Sequence, residues 1–204
     1  VLLQVERLDI YDELPYSYAA SQNSRVIMPY MGNLRLGGAL LDEFLDKYLD
    51  APHMYEYHRK MHILTSESPY SLILYVSALI EYINTGRIHL FDGVVTVEKE
   101  DRKKHLQFLL DEIEEDKGVS VKILNDKNPI LNRHDNILTI YTNENAAFAA
   151  SDAPNLRSEL FNFVSPVIKR QVNTFFDHIE AMPESYIRQG KTAVDFIHGM
   201  IKLI

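Results

Sequence analysis

The stretch from Arg87 to Lys127 decides the first reading of this chain: RIHLF, a short loop, TVEKEDRKKHLQFLLDEIEEDKG, then VSVKILNDK. It reads as strand, helix, strand. Ile88, Leu90 and Phe91 form a short apolar run behind Gly86. Val119, Val121 and Ile123 alternate with Ser120 and Lys122, the period of a strand. Between them Leu106, Leu109, Leu110 and Ile113 stand at i, i+3, i+4 and i+7, which puts them on one helical face. Thr96 is the expected N-cap and Gly118 the expected left-handed residue that closes the helix. A crossover of this length predicts that residues 87–91 and 119–124 are parallel neighbours in one sheet.

Upstream, residues 34–86 carry a helical rhythm. Leu36, Leu40, Leu41, Phe44, Leu45, Tyr48 and Leu49 form a stripe, with Asp42, Glu43, Asp46 and Lys47 outside it. A second helix is expected through HMYEYHRKMHIL. A third, residues 68–83 (SPYSLILYVSALIEYI), starts with Ser68-Pro69 and is apolar on nearly every side. Such a helix is buried in the core, or the run from Ser68 to Ile83 is half of a homodimer contact. Residues 1–33 fit a linker or peripheral segment.

Downstream, NILTIYT and the small-residue run AAFAAS are expected to pair as an antiparallel hairpin. Residues 156–182 read as one long amphipathic helix that kinks or divides at Pro166, and residues 192–204 as a final helix. The predicted fold is α+β with an α/β-like centre. A helical N-terminal layer precedes a small mixed sheet of about four strands, with a βαβ unit, a hairpin and long C-terminal helices. The predicted divisions are 1–33, 34–86 and 87–204, the last two forming either separate subdomains or one continuous domain.

The chain has 204 residues, of which 46% are hydrophobic and 25% charged, ordinary values for a chain that builds a core. A net charge of −8 argues against direct nucleic-acid binding over a broad surface, which needs Lys and Arg to neutralise phosphates. There is no cysteine, hence no disulfide, thiolate nucleophile or Cys-based zinc site, in keeping with a cytoplasmic location. No apolar run is long enough for a bilayer span. The first residue, Val1, raises the expectation that the chain is part of a longer protein.

Candidate chemistry is sparse. His58 and His62 stand one helical turn apart in HRKMH, but Arg59 occupies the place where a zincin motif needs glutamate. His58-Arg59-Lys60 matches only the HxK core of a phospholipase D signature, without its aspartate. Phosphate-loop, dinucleotide and nucleophile-elbow glycine patterns are not present. The acidic run from Asp111 to Asp116 is a solvated helix face. No metal site, cofactor or enzymatic activity is therefore expected. In open α/β sheets ligands bind beyond the carboxyl ends of parallel strands. That rule points to Asp92, Asn125 and Asp126, with Arg133, His134, Asn143 and Asn145 on nearby loops. These neutral amides and carboxylates suit a polar small molecule or a peptide that donates hydrogen bonds. Turn chemistry alone also accounts for Asn, Asp and Gly at such places.

The helical stretch LLDEFLDKYLDAPHMYEYHRKMHIL and SPYSLILYVSALIEYINTG, followed by RIHLFDG and VEKEDRKKHLQFLLDEIEEDKGVSVKIL, resembles the region downstream of the helix-turn-helix in certain Gram-positive bacterial transcriptional regulators. It is also similar to half of a phospholipase-D-like domain without the catalytic residues. The resemblance covers residues 34–182 and rests on arrangement, so it transfers no functional residue. It implies a C-terminal sensor or effector region that binds a ligand or mediates dimerisation, while a separate module reads DNA. The alternatives are a protein–protein interaction module and, third, a hydrolase-like enzyme.

Overall fold

The computed structural model describes residues 5–8, 23–32, 38–49, 55–60, 69–90, 93–115, 118–131, 138–142, 147–151, 159–163 and 165–204. In chain order these form β1 (Val5–Leu8), β2 (Ser24–Met28), α1 (Gly38–Tyr48), a helical segment over residues 55–60, β3 (Tyr70–Tyr75) and α2 (Val76–Thr85). Then come β4 (Arg87–Leu90), β5 (Gly93–Thr96), α3 (Lys99–Glu114), β6 (Val119–Leu124), β7 (Leu138–Thr142), β8 (Ala147–Ser151) and β9 (Glu159–Phe163). The chain closes with α4 (Pro166–Glu180), β10 (Ile187–Arg188) and α5 (Lys191–Ile201). The fold is α+β. One mixed sheet takes eight strands in the order β1-β9-β8-β7-β2-β3-β6-β10, and β4 and β5 form a sheet of their own.

The centre of the large sheet is β3, not the segment that begins at Arg87. Strands β2 and β6 flank β3 and run parallel to it, Val26 and Val121 both opposite Leu72. Leu72 and Leu74 are buried in one core, while Ile73 and Tyr75 are buried in the other. Covered on both faces, the strand has no polar alternation, so YSLILY is indistinguishable by period from a buried helix. The predicted third helix is thus a strand followed by a helix, and the chain's own core accounts for its apolar character. The sheet also has twice the expected number of strands: residues 87–90 leave it, β1, β2, β3 and β9 come from segments assigned to linker or helix, and β10 from a stretch given no element.

The predicted pairing of 87–91 with 119–124 is overturned. Strand β4 pairs antiparallel with β5, Ile88 opposite Val95, and β6 pairs with β3. Gly86 decides this locally. It closes α2 in the left-handed region at φ 72°, its N–H donating to the Tyr82 carbonyl at 2.7 Å. Its own carbonyl accepts from the Val97 N–H at 2.8 Å. A Cβ there would stand 2.2 Å from the Val97 carbonyl oxygen, so only glycine lets the hairpin close on the helix end. The crossover from β3 to β6 therefore contains α2, the β4–β5 hairpin and α3.

Two apolar cores result. Val26, Met28, Leu72, Leu74, Val121 and Ile123 face a helical layer of Leu41, Phe44 and Leu45 from α1, Leu79 and Tyr82 from α2, Leu106, Leu109 and Leu110 from α3, and Ile197 from α5. On the other face Ile27, Ile73, Tyr75 and Leu124 pack against Phe176 and Ile179 of α4. The β7–β8 hairpin forms as expected, Ile140 opposite Ala149. The long helix does not: residues 159–163 are strand β9, paired with β8 and β1, and Pro166 opens α4 in its first turn rather than kinking it. Strands before and after residue 87 share the one sheet. Among the described residues no helix is long and apolar enough to cross a membrane.

Candidate functional site

Because β2, β3 and β6 are parallel, their carboxyl ends lie on one edge of the sheet. At that edge β3 runs straight into α2. Tyr75 is both its last residue and the helix N-cap, extended at φ −75° and ψ 145°, with no capping hydrogen bond from its side chain. The exposed N–H groups of the first turn would otherwise want an acceptor. Asp126, two residues past β6, supplies it: one carboxylate oxygen accepts from the Ser77 N–H at 3.1 Å, the other from the Ser77 hydroxyl. A carboxylate at the positive end of a helix is favourable on both hydrogen-bond and dipole grounds.

The turn that carries Asp126 is built by its own amides. Asn125 donates its N–H to the Tyr186 carbonyl at 2.8 Å, and its side-chain oxygen accepts from Lys127 N–H at 3.1 Å. Buried Asn128 donates to the carbonyls of Asn125 (2.9 Å) and Leu131, and accepts from the N–H groups of Ile130 (3.1 Å) and Leu131 (2.6 Å). All its hydrogen-bonding capacity goes into holding residues 125–131.

At the end of β2 the chain docks the hairpin. The His89 N–H donates to the Met31 carbonyl at 2.7 Å, and the Tyr30 and His89 rings stack at 4.5 Å between centroids, 27° apart. Tyr30 and Asp126 thus follow the carboxyl ends of β2 and β6, the two strands that flank β3. Between them the arrangement offers an aromatic pair, a serine and carboxylate already bonded to each other, and backbone groups of two turns. That is recognition chemistry for a polar, largely uncharged ligand, because an anion would have to displace Asp126 from the helix end.

Of the residues singled out from sequence, Asn125 and Asp126 stand at this edge. Asp92, Arg133, His134, Asn143 and Asn145 lie outside the described residues. Ser77, Tyr30 and His89 were not singled out. Ser77 sits in an apolar run and meets its partner 49 residues away, so no local pattern marks it.

Of the two histidines one helical turn apart, His58 is a core residue. His58 is buried against Tyr57, ring centroids 5.1 Å apart, and burial pushes its pKa down to about 4. His62 lies outside the described residues. Among the described residues no three metal-ligating side chains come together. No family model, curated protein or solved structure matches the chain.

Proposed function

We propose that the chain acts by binding rather than catalysis, as a ligand-sensing or dimerisation (effector) region of a bacterial transcriptional regulator working in the cytoplasm, with DNA read by a separate module. The observation that carries the binding reading is the state of Asp126. Its two oxygens are spent on Ser77, where they cap α2, so this carboxylate organises the site instead of moving protons. The regulator assignment rests on the resemblance of residues 34–182. A ligand at this edge would touch the start of α2 and the hairpin together, and so bias any equilibrium in which they shift. A dimer would use a surface other than β3, whose faces are filled.

The test is a thermal-shift screen of neutral peptides and polar metabolites against wild type, Asp126→Ala and Tyr30→Ala. Hits that stabilise wild type and weaken at least tenfold in either variant support the assignment. Hits bound equally by all three place the ligand elsewhere, and turnover of a screened compound overturns the non-catalytic reading.

A further inference from the structure

A charged cluster lies at the other end of the sheet, beneath α4, and has no part in the edge described above. Arg25 on β2 is directly opposite Ser71 on β3, and Lys122 on β6 is opposite Ile73. Three donors from three strands meet one carboxylate, that of Glu180. Lys122 Nζ donates to it at 2.8 Å, Ser71 Oγ at 3.3 Å, and Arg25 Nη1 pairs with its second oxygen at 3.6 Å. Lys122 also donates to Ser71 Oγ at 2.8 Å, so the hydroxyl proton is directed toward the carboxylate. Arg25 is held in place by an ion pair with Asp177 Oδ1 at 2.5 Å, by Asn173 Oδ1 at 2.7 Å and by the Phe176 ring beneath its guanidinium, so Asp177 still anchors it when Glu180 leaves. Both cations are mostly buried, their side chains 18% and 14% exposed.

Glu180 is the last residue of α4, and Asp177 also falls in its last turn. Carboxylates there oppose the helix dipole, so the attraction must come from the sheet. Phe176 and Ile179, fully buried, anchor the helix without them. The Glu180 side chain is 24% exposed and needs only a rotamer change to leave.

We propose that Arg25, Ser71 and Lys122 form an oxyanion-binding site that Glu180 fills from within the chain, and that a phosphate or carboxylate group entering it displaces the Glu180 side chain. A fork-shaped guanidinium, an ammonium and a hydroxyl on one rigid strand surface are suited to either group.

Thermal unfolding of Glu180→Ala, in acetate or inorganic phosphate against chloride at equal ionic strength, tests it. The emptied site should give a saturable rise in Tm of roughly 2–4 °C. Wild type should saturate only at higher anion concentration, because Glu180 competes, and Glu180→Ala/Lys122→Met should lose the response. A response to phosphate alone assigns the site to phosphorylated ligands; a response to both assigns it to carboxylates as well. If Glu180→Ala is unfolded in chloride, circular dichroism should show folding restored by either anion. Identical salt curves for wild type, Glu180→Ala and the double variant, or no recovery in either anion, overturn the proposal.

Discussion

Acidification should destabilise the fold through two buried histidines well before carboxylates protonate. His105 on α3 is enclosed by the helical layer, its Nδ1 in a 2.7 Å hydrogen bond with the Tyr82 hydroxyl and its ring edge-on to Tyr82. Among the described residues its Nε2 has no hydrogen-bond partner, so a second proton would be an unpaired buried charge. Burial pushes its pKa down to about 3, and that of His58 to about 4, from 6.5. Both folded values lie below the unfolded one, so below 6.5 the unfolded chain binds more protons. The stability these neutral rings contribute is complete above 6.5 and is lost as pH falls toward the folded values. Each histidine then removes up to about 1.4 kcal/mol per pH unit, or about 2.5 kcal/mol between roughly pH 6.5 and 4.5. Asp101 acts lower. Burial raises its pKa, but hydrogen bonds from Lys47 and Tyr48 outweigh that and hold it below 3.8. Urea unfolding at a series of pH values, wild type against His105→Gln, isolates the ring on α3. The variant should show a slope shallower by about 1.4 kcal/mol per pH unit in this window. Equal slopes would mean that His105 is not held neutral by burial.

Gly86→Ala combines a left-handed φ with a Cβ set against the Val97 carbonyl, and should cost more than about 2 kcal/mol in chemical denaturation. A loss below 1 kcal/mol would mean that the hairpin does not close on α2 as described. Asp126→Ala removes a helix cap and should cost about 1–2 kcal/mol, with Asp126→Asn recovering part of it. Phe176→Ala empties the centre of the core under α4 and should cost about 3–5 kcal/mol by the same assay.

What was legible in the sequence follows from which faces are wet. Strand β6 has one exposed or half-exposed position in each pair at its start, Ser120 and Lys122, so its alternation survives and reads as a strand, although its partner is β3 and not residues 87–91. Helix α3 keeps most of its charged residues on its outer side and shows the 3.6-residue period, but Glu112, in the acidic run expected to be a solvated face, is buried. Strands β2 and β3 are covered on both faces, and dense apolar runs carry no period to tell strand from helix. Strand β9 reads as part of α4 because Leu160, Phe163 and Val167 happen to fall at helical spacing; Pro166, where a kink or a division was expected, is the start of the helix. The site suffered similarly. Asp126 was visible as a polar residue at a strand end, but its meaning depends on Ser77, and that contact exists only once β3 and β6 are neighbours.

The position of β3 underlies everything else, since it sets α2 against Asp126 and Ser71 beside Lys122. Native-state hydrogen exchange of the Leu72, Ile73 and Leu74 amides tests it most directly. Paired on both sides and fully buried, they should exchange only by global unfolding, among the slowest in the chain, at rates independent of protein concentration. Fast exchange, or protection that grows with concentration as at a subunit interface, would contradict a central strand at residues 70–75.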